Sequence, residues 1–164
     1  MFVIYNPEDD TEGYIGYMPS NDSIYVVFRG SVSITNWITD MTTTKSAYTT
    51  FPECNCQVHD GFYHAEQRVI AEITGEVAKL RVAHPTASIK TTGHSLGAAL
   101  AQLTAMDLVK AGYDVSMINF GQPRVGDEDY STFVKTKMTE SWRVVHNRDP
   151  VPHLPMDGAI LGFW

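Results

Sequence analysis

The chain has 164 residues, of which 43% are hydrophobic and 19% are charged, and its formal net charge is −7. This composition predicts one globular domain, and it argues against a nucleic-acid partner or docking on an anionic membrane, both of which favour a basic patch. No stretch approaches the roughly 20 apolar residues of a membrane span, and the N-terminus lacks the pattern of a signal peptide.

Predicted strands and helices alternate along the chain. Two strands, 13–18 and 24–29, flank the turn-forming segment 19–22 and predict a β-hairpin. One helix is predicted from Asp60 to His84, because apolar residues recur at helical spacing between them. The later predictions are a strand at 87–92, a helix at 96–109, a strand at 115–120, a helix at 128–138 and a strand at 142–147. This alternation indicates an α/β fold with a mixed, partly parallel sheet and helices on its faces.

The pentapeptide Gly93-His94-Ser95-Leu96-Gly97 has the pattern G-x-S-x-G and lies between a predicted strand and a predicted helix. In that context a nucleophile elbow forms, in which a serine on a strained turn exposes its hydroxyl. The two glycines let the strand and the helix approach each other closely. The alternative is a turn whose serine only caps the helix. The context favours Ser95 as a nucleophile.

Acyl transfer requires hydrogen-bond donors at the developing oxyanion, and the backbone N–H of Leu96 provides one of them. The second donor is expected from the loop after an earlier strand, where Gly30-Ser31 follows the strand 24–29. Ser31 offers both its N–H and its hydroxyl. The alternative is an ordinary turn that ends the strand. The pair Ser31 and Leu96 is therefore predicted as the oxyanion hole only if Ser95 is the nucleophile.

The acid of a Ser-acid-His triad in this fold follows the nucleophile in the chain. Asp149 lies just beyond the predicted strand 142–147, at the strand end where the active sites of such sheets gather. A turn residue before proline explains Asp149 about as well by position alone. Asp127, Glu128 and Asp129 also follow Ser95, but they fit the first turn of a helix, where carboxylates suit the helix dipole.

Six motifs in this order resemble the filamentous-fungal lipase family, also called class 3 lipases, which includes triacylglycerol lipases and feruloyl esterases. The resemblance runs from about Ser23 to Pro155. It implies an α/β-hydrolase fold, with a central mixed, mostly parallel sheet and helices on both faces, and it makes residues 1–164 a single, apparently incomplete domain. The motifs are Val26-Val27-Phe28-Arg29-Gly30-Ser31, Asn36-Trp37-Ile38-Thr39-Asp40, His59-Asp60-Gly61-Phe62, Gly93-His94-Ser95-Leu96-Gly97, Phe120-Gly121-Gln122-Pro123-Arg124-Val125-Gly126 and Asp149-Pro150-Val151-Pro152-His153-Leu154-Pro155.

The resemblance also implies roles and a reaction. Ser95 is implied as the nucleophile, Asp149 as the triad acid and Ser31 with Leu96 as the oxyanion hole, while His94 in the elbow is implied as a packing residue. The implied reaction is hydrolysis of carboxylic esters, above all lipid esters such as triacylglycerols at a lipid–water interface. No cofactor or metal is expected, since zinc-protease, dinucleotide and NTP motifs are missing. The full-length protein is expected to be extracellular or in the secretory pathway.

A lid over the active site is also implied by the resemblance, at the segment 34–40. Ile34, Trp37 and Ile38 share one face of a helix there, so the segment can cover the pocket or offer that face to lipid. The alternative is a surface turn whose tryptophan packs on the core.

The cysteines depart from the family pattern. Family members often carry a short disulfide with two residues between its cysteines, whereas Cys54 and Cys56 are separated by Asn55 alone. So tight a ring is not expected to meet disulfide geometry without strain, and the sequence leaves the oxidation state open.

The catalytic histidine is a second departure. The family's histidine lies well downstream of the acid, and only 15 residues separate Asp149 from the end of the sequence at residue 164. His153 is in the proper chain order, but it lies in a proline-rich loop too short to cross to Ser95. We therefore carry two hypotheses, an ester hydrolase and a non-catalytic or impaired lipid- or acyl-binding protein that lacks the triad histidine.

Overall fold

The computed structural model describes residues 1–31, 44–138 and 140–155. Eight strands and four α-helices lie within these residues. The strands are β1 (Phe2–Asn6), β2 (Thr11–Met18), β3 (Ser23–Phe28), β4 (Lys45–Ala47), β5 (Gln57–His59), β6 (Ser88–His94), β7 (Val115–Phe120) and β8 (Ser141–Val144). The helices are α1 (Asp60–Gln67), α2 (Ile70–Ala83), α3 (Leu96–Lys110) and α4 (Glu128–Lys137).

Six of these strands form the central sheet, in the order β1-β2-β3-β6-β7-β8. The strands β1, β2 and β3 are antiparallel neighbours, whereas β3, β6, β7 and β8 run parallel. The predicted hairpin and the predicted mixed, mostly parallel sheet are therefore confirmed. Since β6 lies between β3 and β7, the residue that follows it, Ser95, emerges at the carboxyl edge of the parallel strands, where such sheets bind ligands.

The helices form a layer against the sheet. Helix α3 packs on β3, β6 and β7, and the helices α1, α2 and α4 each contact α3. Within the described residues the four helices thus share one face of the sheet, although we expected helices on both faces. The strand order explains this arrangement. From β3 to β8 each parallel strand is added on the same side of the last one, and right-handed crossovers then stay on one face.

The opposite face of the sheet carries apolar side chains that are only partly covered. Along β7, Val115 and Met117 are buried beneath the helices, whereas Ile118 and Phe120 point to the other face and are nearly half exposed. Strand register aligns an apolar row across that face, formed by Val3, Tyr14, Val27, Ile118 and Trp142, with Thr92 in its middle.

The single helix predicted from Asp60 to His84 is instead two helices, and this expectation was wrong. The backbone N–H of Val69 donates to the carbonyl of Glu66, three residues back, and the helical ladder ends there. The two parts bury different faces. Helix α1 packs on α3, whereas α2 packs on β2 and β3 as well as on α3. The chain breaks between these two sets of contacts.

The two cysteines, whose oxidation state the sequence left open, form a disulfide bond. Pro52–Cys54 is a 3₁₀ turn, and Asn55 after it adopts a left-handed conformation with φ of 51°. This turn brings the Cα atoms of Cys54 and Cys56 to 5.1 Å, which is within the range of protein disulfides. The chain-reversing conformation of Asn55, an amino acid that tolerates it, was the feature that sequence spacing did not reveal.

Candidate active site

Ser95 occupies a sharp turn between the end of β6 and the start of α3. Its backbone has φ of 55° and ψ of −124°, a conformation that residues other than glycine rarely adopt. The turn is held by backbone hydrogen bonds. The N–H of Ser95 donates to the carbonyl of Phe120 at 3.1 Å, and the carbonyl of Ser95 accepts from the N–H of Ala98 at 3.0 Å. The strain is thus stabilised by β7 on one side and by α3 on the other.

The glycines at 93 and 97 are required by close backbone contacts. A β-carbon on Gly97 would lie 2.5 Å from the carbonyl oxygen of Arg29 and 2.6 Å from that of Phe28. A β-carbon on Gly93 would overlap the backbone of Gly97. Contacts this short do not occur for real β-carbons. The strand and the helix can therefore cross at the elbow only with glycine at positions 93 and 97.

The hydroxyl of Ser95 is buried, and its Oγ has no hydrogen-bond partner within the described residues. Leu96 is the first residue of α3, so its N–H has no acceptor within the helix. A buried hydroxyl beside an open helix N-terminus is a suitable arrangement for attack on a carbonyl whose oxygen becomes negative.

The loop after β3 lies against the nucleophile. A β-carbon on Gly30 would lie 2.8 Å from the carbonyl oxygen of His94 and 3.5 Å from Cβ of Ser95. The structure therefore brings Gly30 next to the elbow, as the oxyanion interpretation requires, and Ser31 follows it with a half-buried side chain.

Asp149 lies in the loop after β8, at the same edge of the sheet. Its Oδ1 accepts a hydrogen bond from the N–H of Val151 at 2.9 Å. Its Oδ2 lies beside Gly121, where a β-carbon would approach it to 2.9 Å and would approach Nε2 of His94 to 3.2 Å. Gly121 has φ of 53° and directly follows Phe120, the residue that binds the N–H of Ser95. The structure thus brings Ser95, His94 and Asp149 to one loop.

Three histidines have structural surroundings. Nδ1 of His59 accepts from the N–H of Phe62 at 3.3 Å and caps α1. His64 pairs with Asp60 at 3.2 Å, and the ring of His84 stacks on Tyr17 at 3.5 Å. These contacts give the three histidines structural roles.

The remaining histidines are exposed. His94 lies with its ring near Gly30 and Gly121, while His146 and His153 lie in the segment after β8. No histidine of the described residues is hydrogen-bonded to Oγ of Ser95. The described geometry thus brings the predicted nucleophile Ser95 and the predicted acid Asp149 to the same edge of the sheet.

Sequence reasoning gave no role to three polar residues that connect these loops. Asn119 and Gln122 are both buried, and the amide of Asn119 donates to the carbonyl of Ala98 and to Oε1 of Gln122, each at 2.8 Å. Arg143 on β8 donates to the carbonyl of Gln122. The available signal was Asn119 itself, a polar residue at a buried position of a parallel strand.

The remaining predictions concern the lid, metal binding and membrane spans. The lid residues Ile34, Trp37 and Ile38 belong to a segment that the structure does not describe. Among the residues that it does describe, no group of three or more histidine, cysteine or acidic side chains is arranged to hold a metal ion. No helix in the same ranges combines the length and the hydropathy of a membrane span.

Comparison with known proteins shows that this chain is similar to lipases. The family model described as "Lipase (class 3)" matches residues 25–159. A secreted mono- and diacylglycerol lipase of Fusarium solani is 37% identical over 142 residues, which are 87% of this chain and 42% of that protein. A lipase of Rhizomucor miehei is 38% identical over 159 residues, which are 94% of this chain and 43% of that protein. The chain therefore spans less than half of the length of these relatives.

A solved structure shares the fold of this chain. It is a triacylglycerol lipase whose catalytic centre is a serine protease triad, and it superimposes with a TM-score of 0.88 at 35% sequence identity. The superposition covers 99% of this chain and 63% of that one.

Proposed function

The chain belongs to the class 3 lipase family, and from that premise we propose that it is a serine ester hydrolase with Ser95 as nucleophile and lipid esters as substrates. The observation that carries the proposal is the backbone of Ser95. A buried hydroxyl on a strained turn has no structural role within the described residues, and such strain persists where function requires it.

In the proposed mechanism, Oγ of Ser95 attacks the carbonyl carbon of the ester while a histidine takes the hydroxyl proton. The N–H of Leu96 and the N–H and hydroxyl of Ser31 receive the oxygen that becomes negative. The tetrahedral intermediate collapses, and the alcohol leaves with the proton that the histidine returns. Water then hydrolyses the acyl-serine by the same steps in the second half of the reaction.

Asp149 is proposed as the triad acid. A buried or shielded carboxylate that bonds an imidazole fixes its tautomer and stabilises the imidazolium that forms during the reaction. The position of Asp149 beside Gly121, one residue from the strand end that binds Ser95, supports this role.

The proposed substrates are neutral esters with medium or long acyl chains. The net charge of −7 disfavours anionic substrates, and the relatives include mono- and diacylglycerol lipases. We further propose that the protein acts outside the cell, since the Fusarium relative is secreted, and that Ile34, Trp37 and Ile38 form a lid at the lipid surface. Turnover across a series of p-nitrophenyl esters and a feruloyl ester checks the substrate class, and exclusive hydrolysis of the feruloyl ester contradicts it.

A second candidate is a lipid- or acyl-binding protein that keeps this fold without catalysis. The specific observation in its favour is that no described histidine is hydrogen-bonded to Oγ of Ser95. Both candidates predict a pocket for an acyl chain, but only the enzyme predicts a reactive serine.

A fluorophosphonate probe distinguishes the two candidates. We expect stoichiometric labelling of the purified protein, complete loss of labelling in Ser95→Ala, and unchanged labelling in Ser131→Ala, which alters an exposed serine of α4. Labelling depends on an activated serine, so a wild-type protein that the probe does not label sinks the enzyme proposal and leaves the binding protein.

A further inference from the structure

We propose that Arg143 is a positioning residue that fixes Asp149 relative to Ser95, an inference that rests on the serine hydrolase mechanism proposed above. Arg143 lies on β8, and its Nε and Nη2 donate to the carbonyl oxygen of Gln122 at 3.0 and 2.6 Å. Its Nη2 also donates to the carbonyl oxygen of Pro152 at 2.5 Å. One guanidinium therefore joins the loop after β7 to the loop after β8.

The first of these loops is connected to the nucleophile. The amide of Asn119 donates to the carbonyl of Ala98 in the first turn of α3 and to the side chain of Gln122. Ala98 in turn donates its N–H to the carbonyl of Ser95. A continuous series of hydrogen bonds thus leads from the elbow through Asn119 and Gln122 to Arg143.

The second loop contains the acid. Pro152 follows Asp149 by three residues, and between them the N–H of Val151 donates to Oδ1 of Asp149. The far end of the loop is attached separately, because the N–H of Arg124 donates to the carbonyl of Leu154 at 2.7 Å. Arg143 therefore attaches this loop by its side chain at Pro152, three residues after the acid.

These contacts depend on the fixed donor directions of the arginine side chain and not on its positive charge. Both acceptors are neutral carbonyls, and a planar guanidinium offers donors in several fixed directions, whereas a lysine ammonium is a compact point charge. Partial burial and the nearby Arg124 cation lower the pKa of Arg143, so the charge gains little from this location. The hydrogen-bond geometry holds the side chain there.

If Asp149 is displaced, it holds the histidine less firmly in the reactive orientation, but the pocket that binds the ester does not change. We therefore expect kcat of Arg143→Lys to fall roughly 10- to 100-fold with KM nearly unchanged, since a displacement of about 1 Å costs up to about 100-fold in rate. The acid limb of the pH profile of kcat/KM should also move to lower pH. A histidine that loses its carboxylate partner becomes a weaker base.

The experiment compares Arg143→Lys and Arg143→Gln with the wild type, each expressed from its full reading frame, using a dissolved short-chain p-nitrophenyl ester. Arg148→Gln is the matched control, because it removes an exposed charge one residue from Asp149, and no hydrogen bond or ion pair of Arg148 joins the two loops within the described residues. Hydrogen exchange of the peptides that contain Arg124 and Val151 is measured in parallel. We expect faster exchange and lower kcat in both Arg143 variants and neither change in the control.

Each outcome bears on the inference. A lysine variant with wild-type kcat, pH profile and exchange would overturn it, as would an equal effect of Arg148→Gln. Faster exchange with unchanged kcat and pH profile would reduce Arg143 to a structural residue. If the wild type itself is neither active nor labelled by the phosphonate, the hydrolase proposal fails, and the exchange measurement still decides whether Arg143 holds the loop.

Discussion

Ser95 at the carboxyl edge of the sheet and Glu66 in the helical layer are both completely shielded from solvent, but the fold accommodates them differently. Ser95 is a neutral hydroxyl, and its position is fixed by backbone hydrogen bonds and by glycines that permit close contact. Glu66 on α1 is ionisable, and its carboxyl oxygens accept hydrogen bonds from the amide of Gln67 at 2.9 Å and from the hydroxyl of Thr104 at 3.4 Å.

A second carboxyl lies near Glu66. Asp107 on α3 accepts hydrogen bonds from the hydroxyl of Thr50 at 3.2 Å. Burial, followed by the negative charge of Asp107, raises the pKa of Glu66 to about 8. Burial likewise raises the pKa of Asp107 to about 6, although the Thr50 hydrogen bond and the Lys110 cation oppose the shift. The helical layer thus accommodates its acid by keeping it protonated, whereas the carboxyl edge of the sheet holds Ser95 by backbone geometry that does not titrate.

The largest effect is expected when a methyl group is added at the elbow, where backbone geometry holds Ser95. Gly97→Ala would place a β-carbon within 2.6 Å of two backbone oxygens, and we expect it to cost about 4 kcal/mol or more or to prevent folding. Gly75→Ala is the matched control, since a β-carbon there meets nothing within 4 Å in the middle of α2. It should stabilise the protein by roughly 0.5 to 1 kcal/mol.

Chemical denaturation of both variants measures these effects. If Gly97→Ala were as stable as Gly75→Ala, the elbow would relax easily and the backbone would not be what holds Ser95.

The helical layer should instead respond to pH. Between about pH 4.5, the ordinary pKa of a glutamic acid, and about pH 8, the folded state keeps the proton of Glu66 while the unfolded chain releases it. Because the folded state then binds more protons, the free energy of unfolding falls as the pH rises through this window. We expect a loss on the order of 3 kcal/mol between pH 5 and pH 8.5, measured by urea denaturation at a series of pH values.

Glu66→Gln sharpens this prediction, because an amide keeps the shape of the side chain but cannot titrate. We expect the variant to lose most of the decline above pH 5, whereas Glu72→Gln, which alters an exposed acid on α2, should retain it. A decline of the same size in Glu66→Gln and the wild type would assign the pH dependence to other groups.

The smallest expected effect concerns the disulfide between Cys54 and Cys56. Replacing Cys54 and Cys56 by serine opens a ring of only three residues, and loop-closure entropy then predicts a loss of about 1.5 kcal/mol. The turn Pro52–Cys54 is not part of the elbow at Ser95, so phosphonate labelling of Ser95 should stay at the wild-type level. Denaturation with and without reductant measures the loss in the wild-type protein, and a loss of labelling upon reduction would contradict the separation of the two regions.

Local pattern predicted the parts of the fold that depend on neighbouring residues. The strand before Ser95, the helix after it and the hairpin at 13–29 were predicted because turn residues and apolar periodicity are encoded within a few residues. The break between α1 and α2 was missed, since periodicity continues through Val69 while the two helices pack on different elements. The same limit hid the carboxyl pair, because Glu66 and Asp107 meet only when α1 packs on α3.

The sequence by itself determined the elbow, because the strained turn at Ser95 and the glycines at 93 and 97 are consequences of local sterics that five adjacent residues specify. Only the tertiary structure decided what surrounds it. The approach of Gly30 and of Gly121 with Asp149, and the reach of Arg143 to two loops, depend on strand order and on contacts between residues far apart in the chain. Such contacts are set by how the layers pack, and packing leaves no periodic signal in any one segment.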